Sequence, residues 1–138
     1  MSSALLQITQ ELAAVDRGLI ASFRWRQATG QLVCPKQMAT RHLFYTLRMI
    51  WNHSMPKEAR IEPYRRYRFG ERHSPEYLKV AIVAIGTELA ARDDLADDLS
   101  EQLLRMMNYF RQYRLADEHK TQRREDHSSY GRIPPRAE

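Results

Sequence analysis

Residues 74–90 read Ser-Pro-Glu-Tyr-Leu-Lys-Val-Ala-Ile-Val-Ala-Ile-Gly-Thr-Glu-Leu-Ala, and this stretch decides the fold class. Ser74, Pro75 and Glu76 make a helix start. They supply a side-chain cap, a first-turn proline whose missing N–H is not needed there, and an acid at the positive end of the helix dipole. From Tyr77 to Ile85 the run is apolar almost all round. A helix without a polar face is one surrounded by other elements, so this segment is expected at the centre of a helical bundle. Its β-branched residues leave a buried strand as the competing reading.

Helical patterns flank it on both sides. Downstream, Arg92-Asp93-Asp94 breaks the run. Leu99, Leu103, Met106, Phe110 and Tyr113 then recur at steps of four and three, which predicts an amphipathic helix to about Glu118. Upstream, Pro35 suits the first turn of a helix carrying Leu43, Phe44, Leu47, Ile50 and Trp51. That helix should end near His53, because Pro56 disfavours helical backbone just before it. At the N-terminus Ser3 can cap a helix whose stripe is Leu5, Ile8, Leu12, Val15, Leu19 and Phe23, running past Gly18 to about Ala28 and stopping at Gly30. Residues 19–34 also read as a hairpin around Thr29-Gly30, since Phe23-Arg24-Trp25-Arg26 alternates. The expectation is an all-α fold with one small domain of about four helices over residues 1–118. Residues 119–138 have little to bury and read as a flexible basic tail.

The 138 residues are one domain's worth of chain. Hydrophobic residues at 43% and charged residues at 28% exclude collagen-like and wholly disordered classes. No run of about 18 apolar residues occurs, so no membrane partner is expected. The opening MSSALLQITQELA lacks the basic start of a signal peptide. Cys34 is the only cysteine, which precludes an internal disulfide and fits a reducing, cytoplasmic setting.

The net charge of +5 is unevenly spread: residues 17–72 carry +9, whereas residues 73–104 carry −5. Such blocks speak about partners rather than fold. The basic residues are 18 Arg to 4 Lys, and Arg makes planar, bidentate contacts to phosphate and stacks on rings. A GC-rich genome, which favours Arg codons everywhere, would give the same ratio. The segment from Ser54 to Ser74 is long for a connection inside a compact domain, which marks it as functional or as hiding a short element near Tyr64–Phe69.

Enzyme motifs mostly fail. The glycines at 18, 30, 70, 86 and 131 form neither a dinucleotide fingerprint nor a phosphate loop, so no cofactor is expected. Cys34, His42, His53 and His73 lack zinc-type spacing, so no metal is expected either. The Asp93-Asp94-Leu-Ala-Asp97 string is half of a magnesium-holding pattern, but acids at a helix N-terminus account for it. Arg48 and His53 stand at the Arg-x4-His spacing used by a class of small helical ribonucleases. Arg68/His73 and Arg114/His119 share that spacing, so it identifies no family.

One constellation is left. Arg60, Arg65, Arg66, Arg68 and Arg72 alternate with Tyr64, Tyr67 and Phe69, and Arg24-Trp25-Arg26 repeats the chemistry. Guanidinium groups hold phosphate and rings stack on bases. The expectation is a small, basic, non-enzymatic protein. It would bind nucleic acid, or a nucleic-acid–protein assembly, through Arg60, Tyr64, Arg65, Arg66, Tyr67, Arg68 and Arg72 with Arg24, Trp25 and Arg26. The alternative is an adaptor or inhibitor gripping an acidic protein with the same surface; a third reading is a helical ribonuclease using Arg48 and His53. A homodimer is compatible with each.

Overall fold

The computed structural model describes residues 3–62 and 69–128, with side chains described as far as residue 114. Among these residues the chain is all-α apart from one small hairpin. The helices are α1 (Ser3–Ala13), α2 (Arg17–Ser22), α3 (Thr40–Ser54), α4 (Pro75–Ala90) and α5 (Asp97–Ser128). Strands β1 (Trp25–Arg26) and β2 (Leu32–Val33) pair antiparallel, Trp25 opposite Val33 and Arg26 opposite Leu32. Single 3₁₀ turns occupy Pro35–Gln37 and Lys57–Ala59.

The run at 74–90 is the central helix. Ser74 Oγ accepts a hydrogen bond from Tyr77 N at 3.1 Å, with Pro75 in the first turn. From there α4 packs against α1, α2, α3 and α5. Ala81, Ile82, Ile85 and Leu89 are fully buried. At Gly86 the Met107 side chain of α5 lies against α4: a Cβ at that position would stand 2.6 Å from Met107 Sδ. The stripe expected on α5 is the observed one, with Leu99, Leu103, Met106 and Phe110 buried against the bundle. The helix continues well past Glu118, to Ser128, so part of the segment assigned to a tail is helical. Residues 129–138 lie outside the described residues.

The N-terminal expectation is corrected. The first helix does not reach Ala28; it ends at Ala13. Asp16 then caps a new two-turn helix by accepting from Leu19 N at 3.0 Å. Val15 and Leu19, which continue the helical spacing, are exposed at 69% and 47%. The competing hairpin is the structure adopted by 25–33, closed by Gln27 N to Gln31 O at 2.9 Å and Gly30 N to Gln27 O at 2.8 Å. Its turn uses Gly30 at φ +90°, a backbone region that favours glycine. Arg24, Trp25 and Arg26 therefore belong to a hairpin and not to the first helix. Pro35 likewise opens only a 3₁₀ turn, and α3 begins at Thr40.

Three arginines outside the basic block at 17–72 hold the bundle together. Arg92 donates to the carbonyls of Met38 (2.6 Å) and Pro35 (2.9 Å), while its Nε pairs with Glu88 at 3.1 Å. Arg111 pairs with Glu11 at 3.3 Å, and Arg114 donates to Leu12 O at 3.3 Å, tying α5 to α1.

Candidate nucleic-acid interface

A two-residue strand has too few ladder bonds to hold itself, so side chains from the first turn of α4 and the turn before it fasten β1. Tyr77 Oη donates to Arg24 O at 2.6 Å and accepts from Arg26 N at 2.8 Å. His73 Nε2 lies 2.9 Å from Arg26 O. Because a carbonyl can only accept, that nitrogen carries the hydrogen, and Nδ1 is left as the basic atom. The peptides on both sides of Trp25 are thereby clamped. Its indole stacks on Tyr77 (5.9 Å between centroids, 18° between planes) and meets His73 at 5.1 Å and Phe69 at 6.1 Å. Burial holds the Tyr77 phenol above its ordinary value, with the Arg26 N–H bond and the nearby Arg26 charge partly opposing it.

The segment leaving α3 is fastened just as firmly. Trp51 Nε1 donates to Ala59 O at 2.8 Å. The buried Asn52 amide pairs both ways with Ile61, Nδ2 to O at 2.9 Å and N to Oδ1 at 2.8 Å. At the far side Phe69 is packed edge-on to His53 (4.7 Å) and tilted on His73 (5.0 Å). The stretch between residues 62 and 69 is thus bracketed by two anchors.

Between the hairpin, one face of α3 and the 69–73 turn lies an open cleft of about 910 Å³. The hairpin contributes residues 25–30, α3 contributes His42, Tyr45, Thr46 and Met49, and the turn contributes Phe69 to His73. Positions 42, 45, 46 and 49 share a face because helix neighbours recur at three and four residues. The cleft is cationic in character: Arg26 and Arg72 line it with the imidazoles of His42 and His73, against the single carboxylate of Glu71. Beside it, the guanidinium carbons of Arg41 and Arg48 lie 5.5 Å and 4.7 Å from the centroid of the Tyr45 ring. Such cation–π contacts hold two more positive charges next to the cleft wall.

The residues singled out from sequence divide into three groups. Arg26 and Arg72 line the cleft, Arg26 donating from Nη1 to Gly30 O at 3.2 Å. Trp25 borders the cleft but is buried, so its indole is an anchor and no platform for bases, while Arg24 and Arg60 are engaged with nearby carbonyls. Arg24 Nη1 donates to Phe23 O at 3.0 Å and Arg60 Nε to Met55 O at 3.1 Å. Tyr64, Arg65, Arg66, Tyr67 and Arg68 lie outside the described residues. Arg48 and His53 engage different rings, Tyr45 and Phe69 respectively, as expected for α-helical residues rotated by about 140° from each other.

Sequence reasoning missed His42 and Tyr45 as members of a site and gave His73 no role. The signal for Tyr45 was available: arginines four before and three after it flank one ring on the outward face of α3. No local pattern links His42 to His73, which are on separate elements.

Among the described residues, no three His, Cys, Asp or Glu side chains are grouped to hold a metal ion, and no helix is long and apolar enough to cross a membrane. Asp94, part of the acidic string, accepts from Thr40 Oγ1 at 2.7 Å and so fixes the start of α3. Comparison of the chain with protein-family models, curated proteins and solved structures finds no match in any of the three, so the function is argued from the cleft itself.

Proposed function

We propose that this protein binds single-stranded nucleic acid in the cleft between the hairpin, α3 and the 69–73 turn. The observation that carries the reading is the cleft's chemistry. Guanidinium groups of Arg26 and Arg72 and the imidazoles of His42 and His73 face one acid, Glu71. Arginine forks match phosphate oxygens, and the planes of Tyr45, its two arginines and the imidazoles suit stacking on exposed bases. Stacking of this kind requires bases that are not already paired and stacked, which favours a single strand over a duplex. In sequence the arginines at 65, 66 and 68 lie between Ile61, which is anchored on Asn52, and Phe69, which lines the cleft.

Titration of the purified chain with fluorescent single-stranded RNA and DNA at low and rising salt tests this. Affinity should fall steeply as salt displaces phosphate contacts, by roughly 0.7 in log K per log salt for each contact on a single strand. Poly-glutamate should compete weakly, since it offers charge without bases. Tight binding of poly-glutamate together with no binding of either nucleic acid would replace this reading with an acidic protein partner.

A further inference from the structure

The cleft holds two imidazoles on two separate walls, His42 on α3 and His73 on the turn before α4, with Arg26 and Arg72 lining the same space. We infer that the cleft cleaves the RNA strand it binds, His73 acting as general base and His42 as general acid. This rests on the reading of the cleft as a nucleic-acid site.

His73 is prepared for the role by its surroundings. The Arg26 carbonyl fixes the Nε2–H tautomer at 2.9 Å, and the Trp25 and Phe69 rings at 5.1 Å and 5.0 Å hold the imidazole plane. A base whose second nitrogen is oriented by a fixed acceptor is the arrangement proton abstraction needs. His42 sits in the first turn of α3 and is exposed, so water can return a proton to it after each turnover. Its backbone is held by Thr46 Oγ1, which donates to His42 O at 2.9 Å.

The step balances with these groups alone. His73 Nδ1 takes the proton of a ribose 2′-hydroxyl as O2′ bonds to phosphorus. The P–O5′ bond breaks, and its electron pair leaves on O5′, which takes a proton from the His42 imidazolium. The products are a 2′,3′-cyclic phosphate and a 5′-hydroxyl end, with nothing oxidised or reduced. Negative charge grows on the phosphoryl oxygens during the attack, and the guanidinium groups of Arg26 and Arg72 are the cations that meet it. The substrate class is RNA, because DNA lacks the attacking hydroxyl.

The test is a cleavage and binding assay on the full chain in EDTA-containing buffer, with one fluorescent single-stranded RNA and a DNA of the same sequence. The RNA should be cut to cyclic-phosphate ends and the DNA left whole. His42→Gln and His73→Asn should each lower the cleavage rate measured at saturating RNA by about 10²-fold or more, whatever their effect on affinity. His73 packs among rings and its variant can fail to fold; His42 is exposed, so His42→Gln decides the matter alone. RNA bound but never cut, or cut equally well by His42→Gln, overturns this inference and leaves the binding reading standing. Failure to bind either strand overturns the binding reading as well.

Discussion

The interface of α4 with α5 and the cleft around the hairpin are held by different kinds of contact. Ile82 and Ile85 of α4 and Leu103, Met106 and Met107 of α5 are almost wholly buried, and Gly86 lets Met107 settle directly on the α4 backbone. Around the hairpin two strands of two residues each are secured by Tyr77, His73 and the Trp25 ring. Apolar burial is non-directional and sums over many atoms, so it sets global stability. Hydrogen bonds and ring contacts are directional and few, so they set geometry. The molecule keeps its stability in one region and its positioned charges in the other, and substitutions in the two should have separable consequences.

The largest expected effect is in the bundle. Leu103→Ala should cost about 2–5 kcal/mol in a urea unfolding titration, through lost burial and the cavity left behind, while nucleic-acid affinity below the transition stays unchanged. An equal loss of affinity would break the separation between the regions.

Tyr77→Phe should cost less, about 1–3 kcal/mol, because it strips partners from Arg24 O and Arg26 N without opening a cavity. Here affinity should fall too, since β1 is released. The phenol also gives a pH signature. Burial raises its folded pKa above the unfolded value, so the folded state holds the proton longer. This contribution to stability is fully present below about pH 10 and is lost as pH rises through the folded pKa. Stability of the wild type should therefore decline above about pH 10 more steeply than that of Tyr77→Phe. Identical alkaline slopes would show that the phenol does not titrate with folding.

Gly30→Ala should cost about 1–2 kcal/mol, because φ +90° is unfavourable for a residue with a Cβ, although the site itself is open. The smallest effect is expected at His53, which is exposed at the end of α3. His53→Ala should change stability by no more than about 0.5 kcal/mol and leave RNA binding as it was. Loss of RNA cleavage in that variant would revive the pairing of Arg48 with His53.

The bundle was legible in the sequence because several local signals agreed there. Ser74, Pro75 and Glu76 announce α4, and the apolar positions of α3 and α5 recur at helical steps. The N-terminal third was misread because Val15 and Leu19 continue a spacing that the backbone does not follow. The informative signals were Asp16 as a cap and Gly30 as a turn residue. Trp25, flanked by two arginines, looks like a stacking platform. Its burial depends on Tyr77 and His73, contributed from far along the chain, which no local pattern discloses. Of the site, the cationic character and Arg26 and Arg72 were readable, whereas the meeting of His42 with His73 is a product of tertiary packing.

The central claim is that the cleft is where nucleic acid binds, and neutralising its two arginines tests it most directly. Fluorescence anisotropy of a single-stranded RNA, followed across a salt series, should be compared for wild type and Arg26→Ala/Arg72→Ala. The account predicts an affinity lower by about tenfold or more at low salt and a log K against log salt slope shallower by about 1.4, the loss of two phosphate contacts at about 0.7 each. An unchanged affinity and an unchanged slope in a folded double variant would contradict it.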